Sequence, residues 1–85
     1  MSSTAGAIRD FIRSGGSVPA SDALFSNSVD LLDYGYLDSF GIVGLMEMVQ
    51  KSYGLDLSDV DFYDKGHRTI DGIANLIDTR LSRKA

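Results

Sequence analysis

Two apolar stripes at helical spacing constrain this fold more than any other feature. Ile42, Leu45, Met46, Val49 and Tyr53 stand at i, i+3, i+4, i+7 and i+11 of a segment from Phe40 to Tyr53, which is one face of an α-helix. Ile70, Ile73, Ala74, Ile77 and Leu81 repeat the pattern in the last third. Each stripe has to be buried against another element, and strand-like alternation is weak throughout, so the chain is expected to be all-α. The punctuation agrees. Gly54 suits a left-handed stop for the first of these helices. Thr69 suits the cap of the second, with Asp71 in the first turn, where the dipole favours an acid, and Arg80, Arg83 and Lys84 at the other end. An N-terminal helix is expected over Ala5–Arg13, capped by Thr4, with Ile8, Phe11 and Ile12 as its face and "SGGS" at Ser14–Ser17 as its stop. A short third helix is expected over Ser58–Tyr63.

Between the first two helices lies a long connection, Gly15 to Asp38, holding the only proline, Pro19. Structureless loops of that length are unusual in small domains and are often functional. Leu24, Phe25, Val29, Leu31, Leu32 and Leu37 can anchor it to a core, and a helical turn is expected near Ser21–Phe25. The reading is one domain over residues 1–85: a small four-helix bundle with a long first loop and a short third helix.

Composition removes several function classes. With no cysteine there is neither a disulfide frame nor a thiolate metal site, and the reducing cytoplasm is the expected compartment. No apolar run approaches the ~20 residues of a membrane span, and "MSSTAGAIRDF" lacks the pattern of a secretory signal. The net charge of −4 is unevenly placed: residues 1–21 carry +1, residues 22–64 carry −8 and residues 65–85 carry +3. An acidic middle argues against nucleic acid, whose binders present basic faces to phosphate. It favours a basic protein partner reached by electrostatic steering, although acidic loops also serve simply to keep a small domain soluble.

The stretch "DYGYLDSFG" places Ser39 after an aspartate and directly before the second helix. As a nucleophile it would need a base in hydrogen-bond reach. The only histidine is His67, beside Gly66 and Arg68, and no G-x-S-x-G elbow is present. Calcium is poorly served too: with Gly35 at the sixth position of an EF-hand loop, oxygens are needed at Leu32 and Tyr34. "DVDFYDKG" fails likewise at Tyr63 and Lys65. Taken alone, Ser39 reads as a helix N-cap whose hydroxyl satisfies a free amide. A helical wheel then turns Phe40 and Met48 away from the core stripe, a partly apolar outward face that suits a partner. A serine at a helix start is also accessible to another enzyme, as the acceptor in a phosphoryl-type transfer.

"LLDYGYLDSFGIVGLM" resembles the attachment segment of carrier proteins: the acyl carriers of fatty acid and polyketide synthesis and the peptidyl and aminoacyl carriers of nonribosomal synthesis. The family pattern of aspartate, glycine, an apolar residue and Asp-Ser-Leu is met by Asp33, Gly35, Leu37, Asp38, Ser39 and Phe40. Phe40 in place of leucine looks most like the D-alanyl carriers and some stand-alone carriers of secondary metabolism. The likeness extends in order and spacing over roughly residues 24–82, through "YGLDLSDVDFYDKGHRTIDGIANLI".

The resemblance implies that a phosphopantetheinyl transferase, using coenzyme A and Mg²⁺, attaches 4′-phosphopantetheine to Ser39. The arm's thiol then holds an acyl or aminoacyl group as a thioester, which accounts for a chain without cysteine. The chain would be no enzyme itself. It would be loaded by an acyl- or aminoacyl-activating ligase and would deliver to a downstream acyltransferase or condensing enzyme. Asp38 is the motif acid, Asp33 and Gly35 shape the loop, and Leu37, Phe40, Val43, Glu47 and Met48 form the partner surface. A second helix with Glu47 as its only acid departs from fatty-acid carriers and points to a dedicated pathway, polyketide, nonribosomal peptide or aminoacyl transfer. A monomer is expected, and Met1 with the basic "RLSRKA" end suggests a stand-alone chain. The alternative is an unmodified helical interaction domain on a degenerate carrier fold, with Ser39 only a cap.

Overall fold

The computed structural model describes residues 4–15 and 25–84, and its elements are three α-helices, α1 Thr4–Ser14, α2 Ser39–Tyr53 and α3 Ile70–Lys84, with a 3₁₀ turn at Lys65–His67. The expected stripes are the core. Ile42, Leu45 and Val49 of α2 meet Ile8 and Ile12 of α1 and Ile70, Ile73 and Ile77 of α3, all buried, with Met46, Tyr53 and Leu81 packed at the edge. α1 lies mainly along α3 and more lightly on α2. Among the described residues there is no strand, and no helix is long and apolar enough to cross a membrane.

The helix ends follow local chemistry. Gly54 closes α2 at φ 69°, donating its amide to the Gln50 carbonyl, a left-handed conformation in which glycine avoids the steric penalty of a Cβ. Thr69 Oγ1 accepts the Gly72 amide at 2.9 Å as the cap of α3. Thr4, expected to cap α1, is instead its first helical residue, and its hydroxyl donates to the Asp78 carboxylate of α3. The hydroxyl expected to cap α1 is committed to a neighbouring helix instead.

The expected short third helix is also corrected. Ser58–Tyr63 forms turns, because its acids capture backbone amides that a helix would need: Asp56 accepts from Ser58 at 2.9 Å and Asp61 from Tyr63 at 2.9 Å. Helical geometry appears only after Asp64, which caps the 3₁₀ turn through the Gly66 amide. Leu55, Leu57 and Phe62 fix the segment to the core. Arg80 of α3 clasps it with a two-pronged pair to Asp59 at 2.9 and 3.0 Å.

The described part of the first loop, residues 25–38, is docked through the anchors expected of it, with Phe25, Leu31 and Leu37 buried and Val29 and Leu32 partly so. Leu24 and most of the turn expected near Ser21–Phe25 lie outside the described residues. Arg9 of α1 holds the near end, bonding Asn27 Oδ1 at 2.9 Å with its guanidinium 4.8 Å from the centre of the Phe25 ring. The Asn27 carbonyl in turn accepts the Asp71 amide of α3 at 3.0 Å. Both neighbouring helices therefore position the loop that leads into α2.

Candidate functional site

The approach to α2 is built by one carboxylate. Asp30 Oδ1 accepts the amides of Leu32 and Asp33, each at 3.0 Å, and starts a tight turn. Gly35 completes the reversal at φ 75°, a conformation in the left-handed region where a side chain is strained. The Leu31 carbonyl then takes two amides, from Tyr36 at 2.9 Å and Leu37 at 3.1 Å. The Leu31 amide donates to the Arg68 carbonyl at 2.7 Å, tying the turn to the far end of the chain. The Arg68 guanidinium closes the outside, 3.5 Å from Asp30 Oδ2 and 3.4 Å from Asp33 Oδ1, with Nε donating to the Tyr63 carbonyl.

These contacts hold the Asp30 carboxyl below the ordinary aspartate range, chiefly through the Asp33 amide, against some desolvation and with help from Arg68. A depressed native pKa contributes stability that is present above the unfolded value and lost as pH falls through the folded one. Asp30→Asn keeps an amide acceptor but loses the charge. Its urea midpoint should lie below that of the wild type at neutral pH, and the gap should narrow as pH falls below the ordinary aspartate value of about 4.

Asp38 emerges extended, at φ −126° and ψ −172°, and its carboxylate accepts the Gly41 amide at 2.8 Å. It is the N-cap of α2, so the expectation that Ser39 plays that part is corrected. Asp38, one residue earlier, is extended and takes the amide, and Ser39 is the first helical residue. It is exposed, and among the described residues its hydroxyl has no hydrogen-bond partner. Asp38→Ala should cost about 1 kcal/mol and Asp38→Asn a few tenths at most, read as urea midpoints.

The other expected site residues divide. Phe40 is 87% exposed and Val43 55% exposed, and Glu47 is also on the surface. Leu37, expected both to anchor the loop and to belong to the partner surface, does the first and is corrected on the second: it is 6% exposed and packs over Gly41, where a Cβ would stand only 2.7 Å from Leu37 Cδ1. Met48 is corrected as well, being partly buried against the core on the side where Phe11 of α1 crosses Gly44. Tyr34 at 56% and Tyr63 at 59% are exposed, a pair the helical wheel of α2 could not reveal. His67 spends Nδ1 on the Asp61 carbonyl at 2.9 Å, not on Ser39. Asp30 and Arg68 were legible only as charges of opposite sign in two segments; nothing in their spacing announced the clasp.

An exposed, uncommitted serine at the start of a capped helix, behind a turn fixed by Asp30 and Gly35, is the geometry on which the comparisons bear. The family described as a phosphopantetheine attachment site matches residues 17–77, most of the 85-residue chain. No curated protein and no solved structure matches it. The chain belongs to that family of carrier proteins, whose members bear a 4′-phosphopantetheine prosthetic group.

Proposed function

We propose that Ser39 is the attachment residue and that the chain carries an acyl or aminoacyl unit as a thioester between enzymes of a dedicated biosynthetic pathway. The observation that carries this reading is the division of labour at the start of α2: Asp38 caps the helix and leaves the Ser39 hydroxyl uncommitted. The residues fit the group. Among the described residues the Ser39 and Phe40 amides have no acceptor, so the positive end of the α2 dipole faces the place a phosphodiester would occupy. Ser39 is itself exposed and the neighbouring Phe40 is turned out to solvent, so the hydroxyl is open to a partner.

In the transfer, Ser39 Oγ forms a bond to the phosphorus that bears pantetheine in coenzyme A. The diphosphate bond breaks, adenosine 3′,5′-bisphosphate leaves, and the serine proton passes to a base of the phosphopantetheinyl transferase. The thiol that the group supplies takes the place of the cysteine this chain lacks. Asp38, exposed at the cap, is placed to meet Mg²⁺ or a basic residue of that transferase. Phe40, Val43 and Glu47 line up on the outer side of α2 as the face for the transferase, the loading ligase and the downstream acyltransferase or condensing enzyme. Glu47 as the single acid of α2 favours an amino acid or unusual acyl unit over a fatty-acid role, in the manner of the D-alanyl carriers. The protein works as a monomer in the cytoplasm, and the chemistry belongs to its partners.

The test is intact mass after incubation of the folded protein with coenzyme A, Mg²⁺ and a broad-specificity transferase. One phosphopantetheinyl adduct is expected. A folded chain that takes none from several transferases is an unmodified interaction domain instead.

A further inference from the structure

A recess of about 310 Å³ lies between α3 and the 3₁₀ turn. Its walls are Gly66 and His67 of the turn and Asn75, Thr79, Arg80 and Arg83 of α3, with others. No acid lines it, in a chain with 12 acids against 8 lysines and arginines. The acids that border it are committed elsewhere: Asp59 holds Arg80, Asp64 accepts the Gly66 amide at 3.1 Å, and Asp78 accepts from Thr4. The recess depends on a glycine. A Cβ at Gly72 would overlap the Gly66 carbonyl oxygen, so only glycine lets the turn close on α3 and wall that end. Asn75, Thr79 and Arg83 stand at i, i+4 and i+8, all exposed, which makes them one row along the helix. Among the described residues their side chains have no hydrogen-bond or ion-pair partner. Arg80 is matched by Asp59 at 2.9 and 3.0 Å, so the unmatched charge in the recess is that of Arg83.

We infer that this recess binds a side-chain carboxylate on a short acidic segment of a partner protein. The charge suits one carboxylate. A free guanidinium meets a carboxylate with two parallel hydrogen bonds, and the Asn75 amide and Thr79 hydroxyl donate without adding charge. The second charge of a phosphate would go unanswered. A protein segment fits better than a free small molecule, because small-molecule sites are mostly apolar and Leu76 is the only apolar side chain among these walls. The row from Asn75 to Arg83 is about 12 Å long, the span of about four residues of extended chain. The net charge of −4 opposes such a segment at a distance. Screening at physiological salt shortens that reach to about 8 Å and leaves the local cation to decide. No residue of α2 lines the recess, so a partner held there leaves Ser39, Phe40 and Val43 open. The recess serves as an anchor whatever Ser39 carries, and an anchored partner keeps the start of α2 at a raised effective concentration.

The experiment titrates the isotope-labelled full chain with the peptide acetyl-Glu-Asp-Glu-Asp-amide at about 0.15 M salt, beside its neutral counterpart acetyl-Gln-Asn-Gln-Asn-amide. Amide and arginine side-chain resonances are read. The acidic peptide should shift Gly72, Asn75, Thr79 and Arg83, with the Arg83 guanidinium, and leave Ser39 and Val43 in place. The neutral peptide should shift none of them. Arg83→Gln should weaken binding about tenfold and Arg83→Lys less, in chains whose helix content is unchanged by circular dichroism. Lys51→Gln, on α2, should leave binding as it was. An acidic peptide that leaves the row unmoved overturns the proposal. So do shifts at every exposed cation alike, Lys51 and Lys65 included, which mean charge alone. Acetate that reproduces the shifts at the same carboxylate concentration makes this a free-anion site and overturns the segment. Shifts along the row on concentrating the protein without peptide make the occupant a second copy and overturn the partner.

Discussion

Ser39→Ala should abolish the phosphopantetheinyl adduct completely and leave the fold where it was. The loss is expected to be complete because no other serine among the described residues has the same setting. On the proposed attachment, the transferred phosphorus meets a hydroxyl held at the start of α2, behind the Gly35 reversal and beside the Asp38 carboxylate, and among the described serines position 39 alone has that setting. Ser26, Ser28, Ser52 and Ser58 are as exposed, yet none opens a helix after that turn. The stability arm of the prediction is what the structure changed. Had Ser39 been the cap, its removal would cost about 1 kcal/mol. With Asp38 in that role, an exposed first-turn serine replaced by alanine should move stability by no more than about 0.5 kcal/mol. Intact mass reads the first part and the urea midpoint the second. An adduct that persists on Ser39→Ala would move the attachment point elsewhere, and a drop of a full kcal/mol would return the cap to Ser39.

Leu31→Ala should be the most damaging change in the loop, at about 2–5 kcal/mol. Typical domains have only about 5–15 kcal/mol in hand, and one this small sits low in that range. Leu31 is fully buried although it lies in a connection rather than a helix. Its side chain fills the core while its backbone accepts Tyr36 and Leu37 and donates to Arg68. The cavity left by truncation opens under the turn that presents Ser39, so urea midpoints should fall and amide exchange at Tyr36 and Leu37 should rise sharply. Leu32→Ala, next door and only partly buried, should cost much less. If Leu31→Ala stays within about 1 kcal/mol of wild type, the loop is not part of the cooperative core.

What the sequence made legible is what periodicity can carry. Ile42, Leu45 and Val49, and Ile70, Ile73 and Ile77, were readable as two stripes because each helix buries one face and repeats it over several turns. Gly54 and Thr69 were readable as stops because their chemistry is local. The failures came where tertiary contacts competed with local rules. Asp38 took the cap from Ser39, and Thr4 abandoned its cap for Asp78. The stretch from Ser58 to Tyr63 yielded its amides to Asp56 and Asp61. A single-helix wheel placed Met48 outward because it has no knowledge of Phe11 arriving from α1. Leu37 was read both as a core anchor of the loop and as part of the partner surface, and it is buried as the anchor.

The two arginine clasps change what the segmental charges mean. Arg68 on Asp30 and Asp33, and Arg80 on Asp59, use cations of the basic last third to lock loops of the acidic middle. Positive charge counted by sequence is therefore partly consumed inside the molecule and is not offered to a visitor. A scan that reverses charges one at a time to map docking would misread these two positions, since Arg68→Glu would release the turn before Ser39 and look like a lost contact. Lys51, Lys65 and Arg83, exposed and outside either clasp, are cations at which such a scan reports on partners.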